Sequence, residues 1–119
     1  VPVAVGEAVS NRFLWKNFLQ AWAVGIVQAD CSRLAGISEW LAVVMLARKF
    51  PVRLVPHVGD MGQIHQHLVL FSHIALGHEK LFLEYIPHLR DDFVHPANVD
   101  SGHYMPPQEP GCSTDLHLA

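Results

Sequence analysis

Apolar residues fall along this 119-residue chain in runs that alternate between two periods. VPVAV (1–5), GIVQAD (25–30), VRLVPH (52–57) and KLFLEYI (80–86) are short apolar runs flanked by Gly or Pro. Runs of that length and punctuation predict buried strands. Between them the spacing changes. NRFLWKNFLQAWAV (11–24) places Phe13, Leu14, Phe18 and Leu19 at helical intervals, with Ser10 as the expected N-cap and Gly25 as the stop. ISEWLAVVMLARKF (37–50) predicts a second helix, capped by Ser38 and broken by Pro51. Its Arg48 and Lys49 sit where the helix dipole favours cations. GQIHQHLVLFSHIAL (62–76) predicts a third helix, ended by Gly77. The remainder, rich in Pro, Gly and polar residues, predicts an extended tail with little regular structure.

The order is β-α-β-α-β-α-β followed by a tail. Strands without inside–outside alternation, separated by helices, imply a parallel sheet covered by those helices. A titratable residue stands near the C-terminal end of every predicted strand: Glu7, Asp30, His57 and Glu84, at intervals of 23, 27 and 27 residues. A (β/α)8 barrel of about 250 residues uses roughly 31 per unit, and its strand C-termini share one face, which carries the active site. Four such units are half a barrel. A doubly wound sheet also binds ligands at strand ends, but it wants a glycine-rich phosphate loop, and GEAVSN after the first strand is not one. The expected fold class is α/β: spacing alone does not separate the two architectures, and the regularity of the acidic and histidine positions favours half of a (β/α)8 TIM-type barrel, with about four strands and three helices, over the open sheet. Residues 1–90 form the partial barrel and 91–119 the tail.

Composition narrows the function. Half of the chain is hydrophobic and only 16% is charged, as in a core-rich globular domain. A net charge of -3 without basic clusters argues against a nucleic-acid surface. Cys31 and Cys112 form no CxxC pattern and no disulfide framework, which fits a reducing, cytoplasmic setting. No apolar run approaches the length of a membrane span. A chain that opens at Val1 directly on an apolar strand reads as a fragment of something longer.

Taken together, VAVGE followed by NR, QAD followed by RLAG, PHVG, LEY, and finally YMPP with GCST resemble the C-terminal part of the enolase-superfamily sugar-acid dehydratases. L-fuconate dehydratases and the fungal L-galactonate dehydratases match best, in order and over essentially the whole chain. The resemblance implies a hydro-lyase that eliminates water from a six-carbon aldonate to give a 2-keto-3-deoxy acid, with Mg2+ as cofactor. It implies that Glu7 is a metal ligand, that Asp30 and His57 form the catalytic dyad, and that Glu84 hydrogen-bonds the substrate carboxylate. The chemistry asks for these types. An enolate-like dianion needs a hard cation with oxygen ligands, and a departing hydroxyl needs a proton from a group such as a His held by an Asp. It also implies a homo-oligomer when full length, a tail that packs on a capping domain, and a fragment inactive alone.

The match has departures. Ala35-Gly36 and Gly59-Asp60 replace Gly-Gly pairs, the helix after His57 is about four residues short, and Asp60 brings a negative charge near His57. The other metal carboxylates, the catalytic lysines and the capping domain have no counterpart. Taken singly, the four residues also have plain readings. Glu7 is then a solvated carboxylate, Asp30 a loop cap, His57 a turn histidine and Glu84 a partner for Lys80. Two other functions remain open: a non-catalytic remnant serving as an interaction module, and a His-rich metal-binding domain built on His65, His67 and His73.

Overall fold

The computed structural model describes residues 1–57, 62–78 and 82–118; Asp60 and Lys80 lie outside them. The chain divides into two compact units, residues 1–57 and 58–119.

In the first unit the strands are β1 (Ala4–Val5), β2 (Ile26–Val27) and β3 (Arg53–Leu54), and the helices are α1 (Arg12–Gln20) and α2 (Ile37–Lys49). The strands pair parallel in the order β1-β2-β3. Ala4, Ile26 and Arg53 are aligned in register, as are Val5, Val27 and Leu54. Trp15, Leu19, Val27, Trp40, Val43, Val44 and Ala47 form a fully buried core between the helices and the sheet. α1 packs on α2, and Arg12 on α1 reaches Glu39 on α2 through its backbone N–H at 2.7 Å and its guanidinium at 3.6 Å.

Three local expectations change. The cap of α1 is Asn11, not Ser10; its side chain accepts from the N–H groups of Phe13 and Leu14 at 3.1 and 3.0 Å. That satisfies two donors the first helical turn would leave orphaned. α2 begins one residue before Ser38 and is preceded by Gly36 at φ 87. The inward face of α1 is also narrower than its periodicity suggests. Trp15 and Leu19, one turn apart, are buried, whereas Phe13, Leu14 and Phe18 remain exposed. Only one stripe of a nine-residue helix faces the sheet and α2.

The second unit contains α3 (Ile64–Leu76), a 3-10 helix (Pro87–Asp92) and a hairpin of β4 (Val99–Asp100) and β5 (His103–Tyr104). Gly77 closes α3 in the left-handed conformation, its N–H bonded to the His73 carbonyl as in an αL end, while the His78 N–H reaches the Ser72 carbonyl. The hairpin turns at Ser101 and Gly102, φ 50 and 79, the two positive values a type I′ turn demands. The tail is thus more ordered than its composition predicts. It folds back through Val94 N–H to Asp115 and His117 N–H to Asp92, with a bridge between Phe93 and Leu116. The expected strand at 80–86 is irregular over its described residues 82–86. A strand exists through its ladder, and here the Glu84 carbonyl accepts the Tyr104 hydroxyl at 2.6 Å instead. No helix among the described residues is long and apolar enough to cross a membrane.

Candidate active site

The register of the sheet decides what meets at its C-terminal edge. Glu7 follows β1, Asp30 follows β2 and His57 follows β3, each within three residues of the strand end. Parallel neighbours lie about 4.8 Å apart, so residues two or three positions past three aligned strands are within side-chain reach.

They touch. His57 Nδ1 lies 2.7 Å from Asp30 Oδ2, and His57 Nε2 lies 2.8 Å from Glu7 Oε2. Carboxylates accept and do not donate, so both contacts are hydrogen bonds when both ring nitrogens carry a proton. The ring then holds a proton on Nε2 that it can give away and still donate from Nδ1. Burial is graded along the chain of three: the Asp30 side chain is 1% exposed, His57 9% and Glu7 56%. The deep carboxylate is the one with the most partners. Asp30 Oδ1 accepts from the Ser32 N–H at 2.8 Å and the Ser32 hydroxyl at 2.6 Å, and Arg33 Nε stands 3.6 Å from Oδ2. Behind it, the Trp40 indole N–H reaches the Ala29 carbonyl at 3.4 Å and ties the strand end to α2.

Glu7 is set by the residue before it. Gly6 has φ 140, and a Cβ there would lie 2.0 Å from Cη2 of Trp15. The indole therefore occupies the space a side chain at position 6 would need, and the backbone turns over it into Glu7. Ser32, Arg33 and the Trp15–Gly6 contact have weak sequence signals. The Asp-x-Ser spacing of an Asx turn at 30–32 is the readable one.

Glu84 belongs to the second unit, in the irregular segment 82–86, half-buried. Tyr85 and Tyr104 stack edge to face with centroids 5.8 Å apart. Burial, then the nearby Tyr85 and Glu84, push the Tyr104 hydroxyl up to about 12. The helix histidines do not assemble. His65 is fully buried, and His73 Nδ1 bonds the His78 carbonyl at 2.6 Å. Among the described residues no three His, Cys, Asp or Glu side chains are grouped to hold a metal. Among the described residues the donor set does not make a complete Mg2+ site: Glu7 is a single accessible carboxylate, and both Asp30 oxygens are engaged by protein donors.

A family model described as enolase C-terminal domain-like matches residues 1–119. The chain belongs to that family. Its parallel strands and intervening helices are part of the (β/α)8 barrel the family is built on. The human mitochondrial enolase superfamily member 1 is 37% identical over 98% of this chain, and its crystal structure superposes with a TM-score of 0.85. The L-galactonate dehydratase of Hypocrea jecorina is 36% identical over 98% of the chain. An L-talarate/galactarate dehydratase liganded with Mg and L-glucarate is 26% identical, with a TM-score of 0.76, over 98% of this chain and 28% of its own. The chain spans 27% of the human relative and 26% of the fungal one. Its relatives thus include sugar-acid dehydratases, which are hydro-lyases.

Proposed function

We propose that this chain is the C-terminal part of a Mg2+-dependent sugar-acid dehydratase acting on a six-carbon aldonate such as L-galactonate or L-fuconate. The observation that carries the reading is the Asp30–His57–Glu7 chain at one edge of the parallel sheet. The named activity of the fungal relative and the Mg and L-glucarate of the talarate/galactarate dehydratase support it.

In the reaction a base from outside these residues takes the proton from C2 of the acid, the C3–O bond breaks with its electron pair leaving on oxygen, and the resulting enol tautomerises to the 2-keto-3-deoxy acid. His57 Nε2 gives its proton to the departing hydroxyl, which leaves as water. Asp30 fixes the ring by accepting from Nδ1, so that Nε2 faces outward and the imidazolium is stabilised while it holds the extra proton. Glu7 would supply one oxygen ligand to the metal, and the remaining ligands would come from outside these residues. Glu84 shares a proton with the substrate carboxylate. The 119 residues alone are inactive, because a single carboxylate does not hold Mg2+.

The test is to supply the longer protein carrying this segment with L-galactonate and L-fuconate and to measure 2-keto-3-deoxy acid. The expected result is product from at least one acid, abolished by chelating Mg2+. Failure of both acids to react overturns the reading.

A further inference from the structure

We infer that Ser32 is the positioning residue of the Asp30–His57 pair. Its consequence for turnover rests on the dehydratase reading; its effect on the geometry does not. The two oxygens of Asp30 have separate duties. Oδ2 faces His57 Nδ1 at 2.7 Å, and Oδ1 accepts from Ser32 twice, through the backbone N–H at 2.8 Å and the hydroxyl at 2.6 Å. The terminal torsion of an aspartate is broad and roughly two-fold. The two Ser32 bonds on Oδ1 oppose a turn of the carboxylate plane, which would carry Oδ2 off the ring axis.

The two anchors differ in kind. The N–H belongs to a turn that Asp30 itself organises, its carbonyl accepting from Leu34 at 3.0 Å and Arg33 at 3.3 Å. That donor survives any side-chain change. The hydroxyl contact is the shorter, in the range of a charge-assisted O–H···O⁻ bond. Ser32 is exposed, so its hydroxyl has water as an alternative partner and is not driven onto Asp30 by burial. Arg33 does not replace it. Its guanidinium is half-exposed, sits 3.6 Å away, and approaches Oδ2, the oxygen that already serves His57.

The experiment compares Ser32→Ala and Ser32→Thr with wild type in the 119-residue chain labelled with 15N-histidine. The readout is the proton on His57 Nδ1, assigned by its loss in His57→Asn. A short N–H···O⁻ bond places it far downfield and protects it from exchange with water. In Ser32→Ala the resonance should move upfield and exchange about tenfold faster; in Ser32→Thr, which keeps the hydroxyl, it should return. In the longer protein, Ser32→Ala should lower kcat about tenfold with KM unchanged, the scale seen when an outer partner that orients an imidazole is removed. An unchanged resonance in Ser32→Ala, its absence from wild type, or its loss in Ser32→Thr as well overturns the inference. Absence of dehydration with an intact resonance response sinks the dehydratase reading and leaves the positioning role standing.

Discussion

Replacing Gly6 by Ala tests how the core sets the site. The added Cβ would lie 2.0 and 2.3 Å from Cη2 and Cζ2 of Trp15 and 3.3 Å from the Gln28 carbonyl carbon. Carbon atoms settle at about 3.5–4.0 Å, so the indole must retreat by well over an ångström. Trp15 is fully buried against a close-packed core and has no free direction. Overpacking of this kind costs about 1–3 kcal/mol. The backbone adds strain, because φ 140 lies where an L side chain is penalised, by about 1–2 kcal/mol. The expected loss is about 2–5 kcal/mol, a large share of the roughly 5–15 kcal/mol that holds a domain. Gly36→Ala is the control within the same unit: φ is 87, but nothing lies within 4 Å of the new Cβ, so only the backbone part of about 1–2 kcal/mol applies. The assay is urea unfolding followed by tryptophan fluorescence, at low protein concentration. Equal losses in the two variants would refute the claim that Trp15 fills the space beside Gly6.

Three further outcomes follow from the same geometry. Tyr104→Phe should cost about 1 kcal/mol, the net worth of one hydrogen bond, here the one to the Glu84 carbonyl. Because folding raises the Tyr104 hydroxyl from 10.0 to about 12, the wild type should lose stability as the pH climbs through that window and none on this account below it, and Tyr104→Phe should flatten that alkaline limb in a denaturation series. The 119-residue chain should self-associate as its concentration rises in sedimentation velocity, since β1 ends its sheet and Val3, Val5, Phe13, Phe18 and Trp22 are exposed; a monomer at all concentrations would contradict this.

The parts legible in the sequence are those governed by repetition. Three apolar runs, two intervening helices and the third helix all sit within a few residues of where the pattern puts them, because punctuation by Pro51 and Gly77 is local chemistry; α1 instead stops at Gln20, with Ala21 as its C-cap, short of the expected stop at Gly25. The convergence of Glu7, Asp30 and His57 was legible for the same reason: parallel strands in register put equivalent positions together. What pattern could not reach was competition between neighbours. Asn11 wins the cap of α1 over Ser10 by geometry of the entering chain. Which face of α1 goes inward depends on α2 and on the space above Gly6, not on spacing. The 80–86 run has the composition of a strand, but its described residues 82–86 make no ladder, and the Glu84 carbonyl takes a tyrosine hydroxyl. The resemblance gives Glu7 to a metal and His57 to a dyad; the direct 2.8 Å contact between them is visible only in three dimensions.

In the proposed reaction His57 and Glu7 divide the labour, one holding the proton and the other the metal. That division is tested most directly by one paired measurement on His57→Asn in the longer protein: turnover of L-galactonate and L-fuconate, with Mg2+ affinity by calorimetry on the same sample. Positioned acid–base groups contribute about 10²–10⁴-fold in rate, so turnover should fall by that order. Mg2+ affinity should be kept or tightened, because the lost imidazole competes for Glu7 Oε2. Near-wild-type turnover, or a loss of Mg2+ binding that parallels the loss of turnover, would contradict the account and return His57 to the role of a histidine that closes a strand.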